Sequence, residues 1–298
     1  MKTIRKVILF LFLAVPFVLQ AQKVDRSVLL EDLEFLSSEK LRGRAPMSEG
    51  SRMAQDYIKE RFKSLGLSSQ FPDHSQKFRL SDKDKARDRK GVNIIGFVPG
   101  SESSRIILVM AHYDHLGTKE DLIFHGADDN ASGAAALLSF AAYFAENRPE
   151  HSMLFAATDA EEMGLLGARA LARDFPFPLD QISVVFNMDM IGRSDMRRLY
   201  AVGTRHYPQL KPFIEDVARR SKIELVPGND GGGGKDWTNA SDHAAFHEKG
   251  VPFIYFGVDD HKDYHKPSDT FENIDQEFYY QAVTTILDTI MRMDRGLK

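Results

Sequence analysis

Residues 106–111, 153–157, 182–186 and 251–256 are apolar at nearly every position, and this constrains the fold more than any other feature of the chain. A strand with one wet face alternates apolar and polar residues, so runs without alternation imply strands covered on both faces. Between and after these runs lie stretches with helical periodicity, at 134–145, 165–172, 210–221 and 276–291, and residues 92–98 add a further strand. Buried strands interleaved with helices describe an α/β chain with a mostly parallel central sheet. Two helices are expected ahead of it, at 26–37 and 51–65. The second carries Met53, Tyr57, Ile58, Phe62 and Leu65 on one face, with Gly66 as its stop. Residues 81–90 read as a solvated, mixed-charge loop. There is no internal repeat and no low-complexity linker, so residues 22–298 are expected to form one domain.

The chain starts with Met1, Lys2, Thr3, Ile4, Arg5 and Lys6, continues through an apolar run of 13 residues at 7–19 broken by Pro16, and reaches Gln20, Ala21 and Gln22. A basic start, a short apolar stretch and a small residue form the layout of a signal peptide, expected here to be residues 1–21. The run is short of the roughly 20 residues needed to cross a bilayer as a helix. Cysteine is absent, so neither a disulfide nor a lipid on sulfur is available. The mature chain is therefore expected in a periplasm or outside the cell, with no membrane span after removal of the signal. A net charge of −4, spread without a basic stripe, argues against nucleic acid as a partner.

In open α/β sheets, ligands sit beyond the carboxyl ends of the strands. Here those ends are crowded with acids and histidines. His112, Asp114 and His115 follow the first run, Asp159, Glu161 and Glu162 the second, Asp189 the third, and Asp259 to His265 the fourth. A fifth cluster, Asp128 and Asp129 with Asn130, leads into the helix that starts near Ala131. Taken singly, each has an ordinary structural reading. Acids after a strand can offset the dipole of a following helix, Thr158 or Asp159 can cap it, and Asp-Asp-Asn-Ala-Ser is a good helix start. Taken together they cannot simply converge, because each pair of carboxylates at about 4 Å repels by roughly 4 kcal/mol at an effective dielectric near 20. Divalent cations offset that repulsion, and imidazoles with carboxylates suit zinc, with manganese or cobalt as alternatives. The His112-x-Asp114 spacing lets Asp114 accept a hydrogen bond from the far nitrogen of a metal-bound His112. Glu161 and Glu162, being adjacent, are expected to point in different directions, as one ligand and one base.

"AHYDHLG" at 111–117, "GADDNASG" at 126–133, "DAEEMGLLGA" at 159–168, "NMDMIGR" at 187–193 and "YHKPSDT" at 264–270 together resemble the di-zinc aminopeptidase family. That family includes bacterial leucyl aminopeptidases, glutamate carboxypeptidases and, more distantly, glutaminyl cyclases. "LRGRAPMSEG" at 41–50 and "YIKERFKSLGL" at 57–67 resemble its amino-terminal segment. The resemblance implies a three-layer α/β sandwich of the zinc exopeptidase (phosphorylase/hydrolase-like) fold. It also implies two Zn2+ ions bridged by Asp129, with His112 and Asp189 completing one site and Glu162 and His265 the other. Glu161 is implied as general base, and Tyr264 as a hydrogen-bond donor to the substrate carbonyl. The implied activity is removal of amino-terminal residues from peptide substrates. The alternative is a single-zinc glutaminyl cyclase that forms pyroglutamate, and a binding protein on the same scaffold is disfavoured because no ligand or base is missing.

Around these motifs, Asp242 and His243 in "SDHAAF" are expected near the substrate pocket. The Gly-rich loop at 227–235 with Trp237 is read as either a mobile loop or the rim of a site. His115, His125 and His261 are expected to be exposed polar histidines, Asp128 a neighbour of the ligands, and Asp269 a turn residue.

Overall fold

The computed structural model describes residues 24–80 and 89–297. The expected signal segment, 1–21, and residues 81–88 of the expected loop lie outside the described residues.

The strands are β1 (Ser75–Arg79), β2 (Lys90–Val98), β3 (Glu102–His112), β4 (Gly117–Lys119), β5 (Leu122–Phe124), β6 (His151–Thr158), β7 (Ile182–Met188), β8 (Arg198–Val202), β9 (Glu224–Pro227) and β10 (Phe253–Gly257). The helices are α1 (Arg26–Leu36), α2 (Glu49–Ser64), α3 (Gly133–Glu146), α4 (Leu166–Arg173), α5 (Lys211–Ala218), α6 (Ala244–His247) and α7 (Gln276–Gly296). Eight strands make one sheet in the order β1, β2, β6, β3, β7, β10, β8, β9, while β4 and β5 form a separate hairpin. The four in the middle, β6, β3, β7 and β10, are mutually parallel, and β2 and β8 flank them antiparallel. The unbroken apolar runs are these four central strands.

Their lack of alternation has the expected cause. In β3, Ile107, Val109 and Ala111 face a core that also holds Leu29 and Leu33 of α1, Phe62 of α2, Phe140 of α3 and Ile286 of α7. Ile106, Leu108 and Met110 face the opposite core, with Leu171 of α4 and Phe246 of α6. Each such side chain contributes roughly 1.5–3 kcal/mol on burial, so both faces demand a helical layer. The result is the three-layer sandwich. The helices that build it start where the sequence offers a cap: Asp25 accepts from Ser27 N–H, Ser48 from Ser51 N–H and Asp275 from Phe278 N–H. Strands β1, β4, β5, β8 and β9 are short and lie at the sheet margins or in the hairpin, where no long apolar run announces them.

Arg44 ties the amino-terminal segment to the carboxyl ends of the central strands. Its side chain is fully buried. Nε donates to Tyr113 O at 2.8 Å, Nη1 to His125 O at 2.7 Å and to Leu36 O, and Nη2 to Gly126 O at 2.9 Å. Burial lowers the guanidinium to about 10, against the pull of Asp114, Asp129, Asp269 and Glu162, so it stays charged at neutral pH. Arg44→Ala leaves four carbonyls facing a cavity and is expected to destabilise the chain by roughly 3–5 kcal/mol, read from denaturant unfolding. Arg44→Lys is expected to recover little of this, because one ammonium cannot match the planar fork.

Candidate metal centre

Every residue expected at the site is placed by the end of a central strand or by the loop ahead of α3. His112 is the last residue of β3, Asp189 follows β7, Glu161 and Glu162 lie in the turn after β6, and His265 lies on the loop after β10. Asp129 sits in the turn Ala127–Ser132, where its peptide to Asn130 is cis. Asn130 fixes that turn against β7. Its Oδ1 accepts from Gly133 N–H at 2.9 Å and Met190 N–H at 3.3 Å, and its Nδ2 donates to Met188 O at 2.9 Å. One amide thus caps α3 and sets Asp129 beside Asp189.

Two groups of donor atoms result. His112, Asp129 and Asp189 form one and His115, Asp129 and Glu162 the other, with the donor atoms of each within 4.8 Å of one another. In the first, His112 Nε2 is 3.2 Å from Asp189 Oδ1 and 3.5 Å from Asp129 Oδ1. Beside the second, His265 Nε2 approaches Asp129 Oδ2 at 3.0 Å and Glu162 Oε1 at 3.5 Å. Asp129 therefore offers one oxygen to each group. The donor set of imidazole nitrogens and carboxylate oxygens matches zinc chemistry. The electrostatics agree: Asp129 and Glu162 push the His265 imidazole up to about 10, and Asp189 and Glu161 raise His112 against the opposing effect of burial. The cluster draws positive charge to itself, which a divalent cation supplies in place of those protons.

The adjacent glutamates are driven apart. Burial pushes the Glu161 carboxyl up to about 10, opposed by His112 and reinforced by Asp189, Asp242 and Asp114. Burial acts the same way on Glu162, but the imidazoles of His115 and His265 outweigh it and hold that carboxyl below its ordinary range. Neighbours pushed in opposite directions can take different roles.

Several expectations are corrected. The acidic stretch after β6 is not the first turn of a helix: Glu161 O accepts from Gly164 and Leu165 N–H, and α4 begins only at Leu166. Asp114 Oδ1 stands 3.7 Å from His112 Nδ1, within reach of an ion pair but beyond a hydrogen bond, while its backbone carbonyl is 3.2 Å away. The carboxylate instead accepts from the N–H groups of Glu161 at 3.0 Å and Glu162 at 3.3 Å, so Asp114 positions the pair. His115 is buried, and the side chain of His261 is only 3% exposed: His115 borders Glu162, and His261 Nε2 lies 2.9 Å from Asp128 Oδ2. His125 is half-buried and its Nδ1 meets Ser37 O. Asp269 does more than turn the chain, since its carboxylate accepts from Asp128 N–H at 2.9 Å and Asp129 N–H at 3.1 Å. Asp128 faces Gly192, Ser132 and His261, away from both donor groups.

Tyr264 stacks on His265, with ring centroids 3.9 Å apart. With Trp237, Ala240, Tyr255 and Val258 it lines a cleft over the carboxylates, so the Gly-rich loop supplies part of the rim through Trp237. Asp242 and His243 lie beneath this cleft. Asp242 accepts from Thr158 Oγ1, and His243 stacks on Tyr255 with centroids 4.6 Å apart.

A family model described as peptidase family M28 matches residues 93–290, more than half of the chain. The chain belongs to peptidase family M28. Aminopeptidase YwaD of Bacillus subtilis is 30% identical to it over 189 residues, covering 59% of this chain and 38% of its own length. The chain thus spans well under two thirds of the curated relatives it matches, 24% for a probable zinc metalloprotease of Pyrenophora tritici-repentis. Two solved structures share the M28 chain's fold with a TM-score of 0.74 each. One, described as a leucine aminopeptidase precursor from Bacteroides thetaiotaomicron, is 18% identical and covers 91% of this chain and 98% of its own. The other, Porphyromonas gingivalis glutaminyl cyclase, is 20% identical and covers 91% and 99%.

His243 generates a pH prediction for this M28 chain. Burial lowers its imidazole from 6.5 to about 3 in the folded state. The unfolded chain therefore binds a proton that the folded one refuses as pH falls below 6.5. Its contribution is full above 6.5 and declines toward 3, by at most about 1.4 kcal/mol per pH unit. Unfolding midpoints of His243→Gln are expected to fall less steeply with acid than those of the wild type across this window.

Proposed function

We propose that the chain is a zinc-dependent aminopeptidase with two metal sites, directed out of the cytoplasm by its amino-terminal segment. The observation that carries the reading is Asp129, whose two oxygens face two separate groups of histidine and carboxylate donors. Such an arrangement suits a pair of cations bridged by one carboxylate, with His112 and Asp189 on one side and Glu162 and His265 on the other. When bound, the cations polarise a substrate carbonyl and acidify water.

The chain's own residues would do the rest. Glu161 is partly buried, lies outside both donor groups and is held among acids that favour its protonated form. Once bound cations offset the negative charge around it, its carboxylate would be ionised, take a proton from the attacking water and deliver it to the leaving amine as the peptide C–N bond breaks. Asp114 would keep Glu161 and Glu162 in register through their N–H groups. Tyr264, at the cleft edge, would donate to the carbonyl oxygen as it gains charge.

Charge favours an amino-terminal substrate over a carboxyl-terminal one. Five acids line the cleft, Asp129, Glu161, Glu162, Asp189 and Asp260, and no Lys or Arg stands among the lining residues. Two divalent cations therefore leave no net positive charge to hold a substrate carboxylate, whereas an α-ammonium is welcome. Two donor groups also favour the hydrolase over a single-zinc cyclase.

A panel of free and amino-blocked aminoacyl substrates tests this directly. Release of free amino acids from unblocked substrates only is expected, while activity confined to blocked ones, or ring closure of amino-terminal Gln peptides without hydrolysis, overturns the reading. Glu161→Gln is expected to keep its metal and lose about 10²–10⁴-fold in kcat, whereas Glu162→Gln is expected to lose metal from one site, measured by elemental analysis. Near-normal turnover of a metal-loaded Glu161→Gln would remove the assigned base.

A further inference from the structure

We propose that His115 is a ligand of the second metal site, opposite His265, giving that site four protein donors where the first has three. The proposal rests on the two-metal reading above and adds a residue to it.

His115 follows the end of β3 by three residues, and the loop turns its ring inward. The side chain is wholly buried, with Nδ1 2.9 Å from Glu162 Oε1 and 3.7 Å from Asp129 Oδ2. Despite the short distance the atoms are out of line for a hydrogen bond. Neither ring nitrogen of His115 has a hydrogen-bond partner, and neither does Glu162 Oε1. Leaving buried polar atoms unpartnered costs about 1–3 kcal/mol each, so Nδ1 and Oε1, which lie in contact, call for a shared partner. A cation between them is such a partner, because nitrogen and oxygen lone pairs then converge on it and not on each other.

The surroundings are shaped to admit the ring. Gly126 packs directly against it, in a backbone conformation with φ +59°, and a Cβ there would stand 2.5 Å from His115 Cγ. On the other side lies His265, its ring centroid 5.9 Å from that of His115 and its side chain 37% exposed. The second site thus has an inner imidazole from the β3 loop and an outer one from the β10 loop, with Asp129 and Glu162 between them. Two nitrogens and two oxygens complete the four-donor set that zinc prefers when firmly held, whereas three donors leave a position open. The competing role for His115 is a counter-charge to Glu162 without metal contact, and the two roles separate by experiment.

Zinc content and affinity are measured on the full chain against chelator-buffered zinc, together with cobalt spectra. His115→Gln keeps much of the ring's bulk and can still hydrogen-bond Glu162, but is a poor ligand. It is expected to retain one zinc with wild-type affinity and to bind the other at least about 10–100-fold more weakly. In His115→Cys, Sγ falls near the position of Cγ, one bond short of Nδ1, the longer metal–sulfur bond makes up part of the difference, and the chain has no other cysteine. Its cobalt form is expected to show a thiolate-to-metal charge-transfer band. Two zinc ions bound with unchanged affinity by His115→Gln, or a folded, cobalt-loaded His115→Cys without the band, overturns the assignment. Zinc binding that weakens on loss of His115 in a chain that cleaves no peptide supports the ligand and removes the enzyme reading. Peptide cleavage with metal binding indifferent to His115 does the reverse.

Discussion

Mutual repulsion among carboxylates brought to one end of a sheet governs the design of this molecule. Asp114, Asp128, Asp129, Asp159, Asp189 and Asp269 are all buried within the loops beyond β6, β3, β7 and β10, and Asp242 is buried in the segment ahead of α6. Each is satisfied or opposed in a different way. Asp114 and Asp269 accept backbone N–H groups, Asp128 meets His261, Asp242 takes a hydroxyl, and Asp129 and Asp189 face imidazoles. Arg44 adds a buried positive charge without bonding to any of these carboxylates, since its four hydrogen bonds all go to carbonyls. The loops are therefore held by groups that do not compete for the donor atoms of Asp129, Glu162 and Asp189.

That division explains how much was legible beforehand. Strands β3, β6, β7 and β10 were readable because burial on both faces writes a continuous apolar run, and the acids after each run pointed to one end of the sheet. What the runs could not convey was the direction of individual side chains. Asp114 lies two residues from His112 on an extended backbone, a spacing that suggests a shared face. Beyond the strand the chain turns, and its carboxylate swings to the N–H groups of Glu161 and Glu162. Likewise the acids of "ATDAEEMG" fit a helix start by composition, yet the helix waits until Leu166 because the intervening turn is shaped by the loop it must meet.

The buried polar residues were the least legible. His115, His261 and Arg44 are of types usually found at the surface, and nothing in their local sequence marks them as interior. Their burial depends on segments far along the chain: Gly126 makes room for His115, Asp128 receives His261, and Arg44 reaches carbonyls of residues 36, 113, 125 and 126. Asn130 belongs with them. In the sequence it is a capping residue next to two acids, whereas in the structure it joins the turn of Asp129 to the end of β7.

The donors at the sheet end are scattered from His112 to His265, contributed by four strands and a turn that meet only when the central sheet is complete. A chain emerging from the ribosome has its first donor long before its last, and contacts of such long range form late in folding. Assembly of the centre is therefore a certificate of completion. A fragment lacking the β10 loop lacks the full donor set, so degradation products and unfinished chains cannot gather it.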